Sequence, residues 1–279
     1  MLAGIDDKLM TTHTKSFKIQ PMNSLKNAFS LVELSIVLVI LGLLTGGILG
    51  GQSLIRAAEL RAVSTEYQRW VTATQTFRDK YFALPGDMTN ATAFWGKDNA
   101  VCTGDSGTAA TPGTCNGNGN GEFTAASGAG ATGELYQYWK QMGLAGLIEG
   151  QYTGVAGPGG ASEVVIGVTA PRSKLNNAGW SVWNGANYPG NTAAFASDYG
   201  QTLMFGTFNA TQKTQGFAVK PEEAWNIDTK LDDGSPARGK IWAYNWPGCT
   251  TAASNTDYAA SYRLDSSSIA CALIFSRAL

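Results

Sequence analysis

Between Ala28 and Ile55 the chain carries one charge, Glu33, in an otherwise uncharged and mainly apolar run. Roughly 20 such residues at about 1.5 Å rise cover the ~30 Å hydrocarbon core of a bilayer, so the run is long enough to span one. A carboxylate at that depth costs about 2.5–3.5 kcal/mol. Something must offset that cost, which makes Glu33 a functional clue. An ordinary secretory signal fits poorly, because its cleavage site follows the apolar region and wants small residues in an A-x-A-like arrangement. Downstream stand only Thr45-Gly46-Gly47 and Arg56-Ala57-Ala58. No cysteine directly follows the run, which excludes a bacterial lipoprotein.

Lys26, the small residue Ala28, then Phe29-Ser30-Leu31-Val32-Glu33-Leu34 and the apolar stretch resemble the leader and N-terminal helix of type IV prepilins and type II secretion pseudopilins. The resemblance covers about 30 of the 279 residues. It implies that a prepilin peptidase on the cytoplasmic side cuts between Ala28 and Phe29 and methylates the new amine. The family usually has Gly before the cut, where this chain has Ala28. It implies Ala28 and Phe29 as processing residues, and Phe29 and Glu33 as assembly residues. The partners would be other pilin or pseudopilin subunits and the bacterial inner membrane. The chain would pass that membrane once, with its C-terminal domain outside the cytoplasm, before entering a filament in the periplasm or at the cell surface.

Cutting at Phe29 places an ammonium one helical turn from Glu33, since residues i and i+4 share a face. In a filament the Glu33 of one subunit can pair with the amine of its neighbour and so set the axial stagger. Losing one partner leaves an unpaired charge in a low-dielectric setting. The plainer reading is an ordinary anchor whose Glu33 reaches the headgroup level. Met22 to Ala28 already forms a compact basic leader, whereas the residues before it are polar and without periodicity, so translation is expected to start at Met22.

The proposed cut leaves 251 residues (279 minus 28), with 16 Lys+Arg and 19 Asp+Glu, so the side chains carry −3. That is no electrostatic footprint for nucleic acid. The one histidine, His13, lies before the cut. A histidine-free chain argues against His-based catalysis, His-ligated zinc and a switch near neutral pH. A Ser or Cys nucleophile would need an unusual base, so no enzyme is expected. Cys102, Cys115, Cys249 and Cys271 all follow the apolar run, and an even count there suggests two disulfides in an oxidising compartment. Of three connectivities, pairing of sequence neighbours is favoured.

No proline occurs from Phe29 to Leu84, so one helix can run to about Tyr81. Leu60, Val63, Tyr67, Trp70, Thr74, Phe77 and Tyr81 recur in steps of three and four and form an apolar stripe. Arg56, Glu59, Arg61, Glu66, Arg69 and Arg78 are expected largely on the exposed surface. The stripe would serve either a coiled-coil stalk or, as favoured here, packing on a C-terminal sheet. Pro85-Gly86 ends this helix. Residues 100–133 read as a long loop, and Glu134–Ile148 as a short helix stopped by Gly150. Strand-like runs follow at Glu163–Thr169, Trp180–Trp183, Gln201–Phe208, Lys240–Tyr244 and Ala270–Phe275. The expected organisation is a leader (1–28), a membrane or filament-core half-helix (29–55), an amphipathic half-helix (56–83) and a disulfide-containing globular domain (84–279). The fold class is α+β and pilin-like, with the long helix packed on an antiparallel sheet.

No cofactor is required by this reading, but two segments suggest Ca²⁺. Asn116, Asn118 and Asn120 alternate with glycines like the front half of a calcium loop. Asp228, Asp232 and Asp233 form an acidic loop like those of large pilin-like proteins. The plainer reading of the first is a flexible polar loop, and of the second an Asx-turn in which the Asp side chains bond their own backbone. All eight tryptophans follow the apolar run. Exposed, they would stack on sugars, and buried, they would fill a core otherwise built from small residues, which their bulk favours. The leading function is a structural filament subunit, pilus-like or pseudopilus. The alternative is an adhesin-type minor pilin whose C-terminal domain binds a surface, glycan or secreted substrate.

Overall fold

The computed structural model describes residues 30–102, 104–191 and 193–279. The leader, His13, Met22, Ala28 and Phe29 lie outside them. The chain forms two compact units, Met1–Gly51 and Gln52–Leu279. In the first, the described residues from Leu31 belong to the long helix α1 (Leu31–Tyr81). It runs through Gly46, Gly47, Gly50 and Gly51 without a break. The large apolar side chains from Leu31 to Leu49 are at least half exposed, and burying each would be worth about 1.5–3 kcal/mol. A surface of that kind calls for lipid or other helices.

The second unit is α+β. Its elements after α1 are α2 (Ala91–Trp95), α3 (Glu134–Leu144), β1 (Ala178–Asn184), β2 (Gln201–Thr207), α4 (Pro221–Leu231), β3 (Ile241–Ala243) and β4 (Leu273–Phe275). The four strands form one sheet in the order β1-β2-β4-β3, with every pairing antiparallel. Strand alternation sorts the side chains to two faces. Trp180, Val182, Leu203, Phe205, Ile241, Ala243, Leu273 and Phe275 join the core that includes Val63, Trp70 and Phe77 of α1. Met204, Trp242 and Ile274 face the other way, into a second core with Phe195, Tyr199 and Tyr244.

The α1 stripe packs as its spacing predicts: Tyr67 stacks on Phe275 at 4.5 Å between ring centroids, and Trp70 meets Trp139 of α3 edge-on at 5.4 Å. The coiled-coil stalk is thereby replaced by packing on the domain. Trp139 and Trp180 are fully buried, and Trp70 and Trp242 nearly so. Trp183 and Trp246 are half-buried. Both disulfides join sequence neighbours, Cys102–Cys115 and Cys249–Cys271.

Several expectations are corrected. Helix α3 stops at Leu144, before Ile148, because Gly146 takes a left-handed φ of +71°. Gly146 N–H then donates to Gly143 O and Leu147 N–H to Met142 O, a paired closure that satisfies the last carbonyls. Glu163–Thr169 is not a strand: Gly167, at φ +83°, turns the chain so that its N–H reaches Ala170 O at 2.7 Å. Glu66 is buried, not on the surface; its carboxylate accepts from Ser173 Oγ (2.6 Å), Lys174 N–H (2.8 Å) and Trp180 Nε1 (2.8 Å).

Candidate functional site

At the start of α1, Ser30 is the N-cap: its carbonyl accepts from Leu34 N–H and its Oγ accepts from Val32 N–H at 3.3 Å. Glu33 reaches back so that Oε2 accepts from Ser30 N–H at 2.9 Å. The pattern Ser30-Leu31-Val32-Glu33 is thus a capping arrangement, with Glu33 at the third helical position. Its charge also lies at the positive end of the helix dipole. This local role is legible in the sequence as S-x-x-E. In the described chain the carboxylate is held at the very beginning of the apolar helix by its own backbone.

The other end of the apolar stretch is fixed within the second unit. Arg56 donates from Nε to Glu223 Oε1 (2.7 Å) and from an Nη to Glu223 Oε2 (2.6 Å), a two-pronged pair. Glu223 sits in the first turn of α4, where Oε2 also accepts from Lys220 N–H at 2.9 Å. Burial works against the Glu223 charge, yet the Arg56 bond and the Lys220 N–H hold its carboxyl below its usual value. Arg56, expected on the surface, is therefore partly buried and joins the first residues of the second unit to α4.

The three asparagines proposed for calcium are each occupied. Asn116 Oδ1 accepts from Thr92 N–H in α2 (2.9 Å), Asn118 Oδ1 from Asn120 N–H (2.9 Å), and Asn120 Oδ1 from Glu122 N–H (2.8 Å). Two buried carboxylates clasp the same loop from outside. Asp87 accepts from Gly119 N–H (2.6 Å) and Gly121 N–H (2.8 Å), and Glu134 accepts from Asn118 N–H and Thr124. Sequence spacing carried no signal for these distant clasps.

Asp228, Asp232 and Asp233 do come together, with carboxylate oxygens within 4.8 Å of one another. Asp228 lies inside α4, and Asp232 caps it, so the segment is a helix end and not a free loop. Asp228 is fully buried and accepts from Tyr262 Oη (2.8 Å) and Gly234 N–H (3.1 Å). Asp232 accepts from the Lys240 and Ile241 N–H groups, and Asp233 from Ser235 N–H at 2.8 Å. Burial, aided by the two neighbouring aspartates, pushes the Asp228 carboxyl up to about 7 against the bonds that lower it.

This gives a pH prediction. In chelator, the unfolded chain loses the Asp228 proton near pH 4, while the folded chain keeps it to about pH 7. Between these limits the folded state binds more protons, so stability falls as pH rises. Asp228→Asn is expected to flatten that slope in thermal melts between pH 4 and 8. An unchanged slope would refute the assignment.

Neither the curated proteins nor the solved structures contain a match to this chain. Residues 23–49 match the family model described as the prokaryotic N-terminal methylation motif, so the chain carries the prepilin-type motif around Phe29 and into the first turns of α1.

Proposed function

We propose that the chain is a structural subunit of a type IV pilus-like or type II secretion pseudopilus filament. Prepilin peptidase cuts it between Ala28 and Phe29, the apolar half of α1 holds it in the inner membrane, and the same half-helix then packs into the filament. The observation that carries this reading is the methylation motif at residues 23–49 running directly into the exposed apolar half of α1, whose one carboxylate, Glu33, stands at the first turn. Cut at Phe29, the chain has an amine beside that carboxylate, and pairing across subunits satisfies two charges that lipid or packed helices would otherwise strand. The globular unit is an α+β body with its helix stripe covered, which suits a repeated building block. The two disulfides suit an oxidising location outside the cytoplasm.

Mass spectrometry of the N-terminal peptide from membrane-extracted protein tests the reading. The expected species begins with N-methylated Phe29. A chain that keeps its leader in cells with active peptidase would reduce Glu33 to a helix cap at the membrane interface.

Calcium belongs to this proposal at Asp228, Asp232 and Asp233, which converge, rather than at the occupied asparagines. An ion held there raises the melting temperature most above pH 7, where the Asp228 carboxyl has lost its proton. Identical melts in calcium and in chelator remove it.

A further inference from the structure

On the sheet face turned away from α1 lies a pocket of about 380 Å³, within the roughly 300–1,000 Å³ typical of small-ligand sites. Its aromatic walls are Trp183, at the end of β1, and Tyr188, whose rings meet edge-on at 5.0 Å between centroids, together with Tyr244 beyond β3. Lys213 enters from the segment after β2. The neighbouring Thr214, fully buried, fixes that segment by bonding Met204 O (3.0 Å) and Ser181 Oγ (2.7 Å).

The one charged side chain that lines the pocket, Lys213, is a cation. Lys213 Nζ has Ser162 Oγ at 3.5 Å and the Trp183 ring centroid at 5.8 Å, and no carboxylate within ion-pair distance among the described residues. Burial alone draws its ammonium down to about 8, so the cation is poorly solvated as well as unpaired. Asn191 Oδ1 accepts from the Ala193 and Ala194 N–H groups at 2.8 and 3.0 Å, so Nδ2 is the end left to donate among the described residues. Gln215 Oε1 is taken by Tyr244 Oη at 2.9 Å, which leaves its amide Nε2 free. One cation, Lys213, and the side-chain amides of Asn191 and Gln215 therefore line a cavity walled by rings, with Gln212 as a further amide.

We propose that this pocket binds a carboxylate-bearing sugar residue, with the carboxylate on Lys213, ring hydroxyl oxygens on the Asn191 and Gln215 amides, and the C–H face of the sugar against Trp183 and Tyr188. A neutral sugar would leave the Lys213 ammonium without a counter-charge. A free small anion would leave the aromatic walls uncovered. The site is built wholly within residues 52–279 and does not depend on the filament reading; it gives the adhesin alternative a definite place.

Ligand-observed NMR on the detergent-solubilised full chain, with glucuronic acid, glucose and acetate as probes, tests this. Glucuronic acid is expected to bind at least about tenfold more tightly than either of the others, since a charge-assisted bond and ring contact are both needed. Lys213→Met is expected to lose about tenfold in glucuronic acid affinity, with an unchanged thermal melt. Trp183→Ala tests the ring contact, and Lys213→Met keeps the test open if that variant unfolds. Equal binding of glucose, equal binding of acetate, no binding of glucuronic acid, or indifference to Lys213→Met would each overturn the proposal.

Discussion

Leucine in place of Glu33 is expected to remove the subunit from filaments while holding it more firmly in the membrane. The two effects have opposite signs because they arise from different states of the same carboxylate. In the bilayer, an acid near the helix centre costs about 2.5–3.5 kcal/mol and somewhat less near its end, so removing it favours retention. In an assembled array, the variant leaves the amine of a neighbouring subunit unpaired between packed helices. Breaking such a pair costs about 3–5 kcal/mol, or on the order of a hundredfold or more in incorporation. The measurement is the ratio of variant to unmodified subunit in sheared filaments and in the membrane fraction of the same cells. If Glu33 were only a helix cap, the loss would be the ~1 kcal/mol typical of one capping interaction, and incorporation would fall by a few fold. Glutamine at the same place separates the two readings further: it retains an oxygen for Ser30 N–H and supplies no negative charge. Near-normal incorporation of Glu33→Gln would mean that the charge is not what assembly uses.

The elements legible in the sequence are those specified by local patterns. An apolar run without proline and a three-and-four stripe are each contained within one stretch of chain, so α1 and its packed face follow from reading along it. The strands β1 and β2 follow from dense aromatic and β-branched composition, and the disulfides from spacing. Helix α4 was not legible in the same way. Its Asp228, Asp232 and Asp233 read as an acidic loop because the apolar positions Ala224, Ile227 and Leu231 are few, and the start signal, Pro221 at the first helical position, is a single residue. Helix α3 reads as longer than it is because two glycines, Gly146 and Gly150, can each stop it, and only the fold shows that the left-handed turn falls at Gly146.

The candidate site divides along the same line. Glu33 was found because an acid in an apolar run is conspicuous on its own. Arg56–Glu223, Asp87 with the Asn-Gly loop, and the Lys213 pocket are each made by residues distant in sequence. For these, residue type alone favours a solvated charge, and only the tertiary fold brings the partner. The pocket also turns on an absence, a lysine with no acid within ion-pair distance among the described residues, which a linear reading cannot register.

Glu66 shows how large such a misreading can be, and it supports the second strong prediction. As an exposed helix residue, Glu66 replaced by alanine would change stability by no more than about 0.5 kcal/mol. In the structure it lies on the face of α1 that meets the sheet, and its two oxygens accept from Trp180 Nε1, Ser173 Oγ and the Lys174 N–H. Trp180 is fully buried in β1, so the bond also orients the ring that packs at 5.0 Å from Phe205 and 5.3 Å from Phe275. Alanine would strand the indole N–H away from water, release the turn at Ser173–Lys174, and leave a gap between helix and sheet. Unsatisfied buried groups cost about 1–3 kcal/mol each, so a total of about 3–5 kcal/mol is expected. For a body of this size that lowers the melting temperature by on the order of 10 °C. Glu66→Gln should lose less, because one amide oxygen still accepts while the amide nitrogen confronts a donor on the other side. Thermal melts of the two variants against the unmodified chain check both the size and the order. A shift of only a degree or two for Glu66→Ala would mean that helix and sheet are joined by the apolar stripe alone, with the carboxylate free to turn towards solvent.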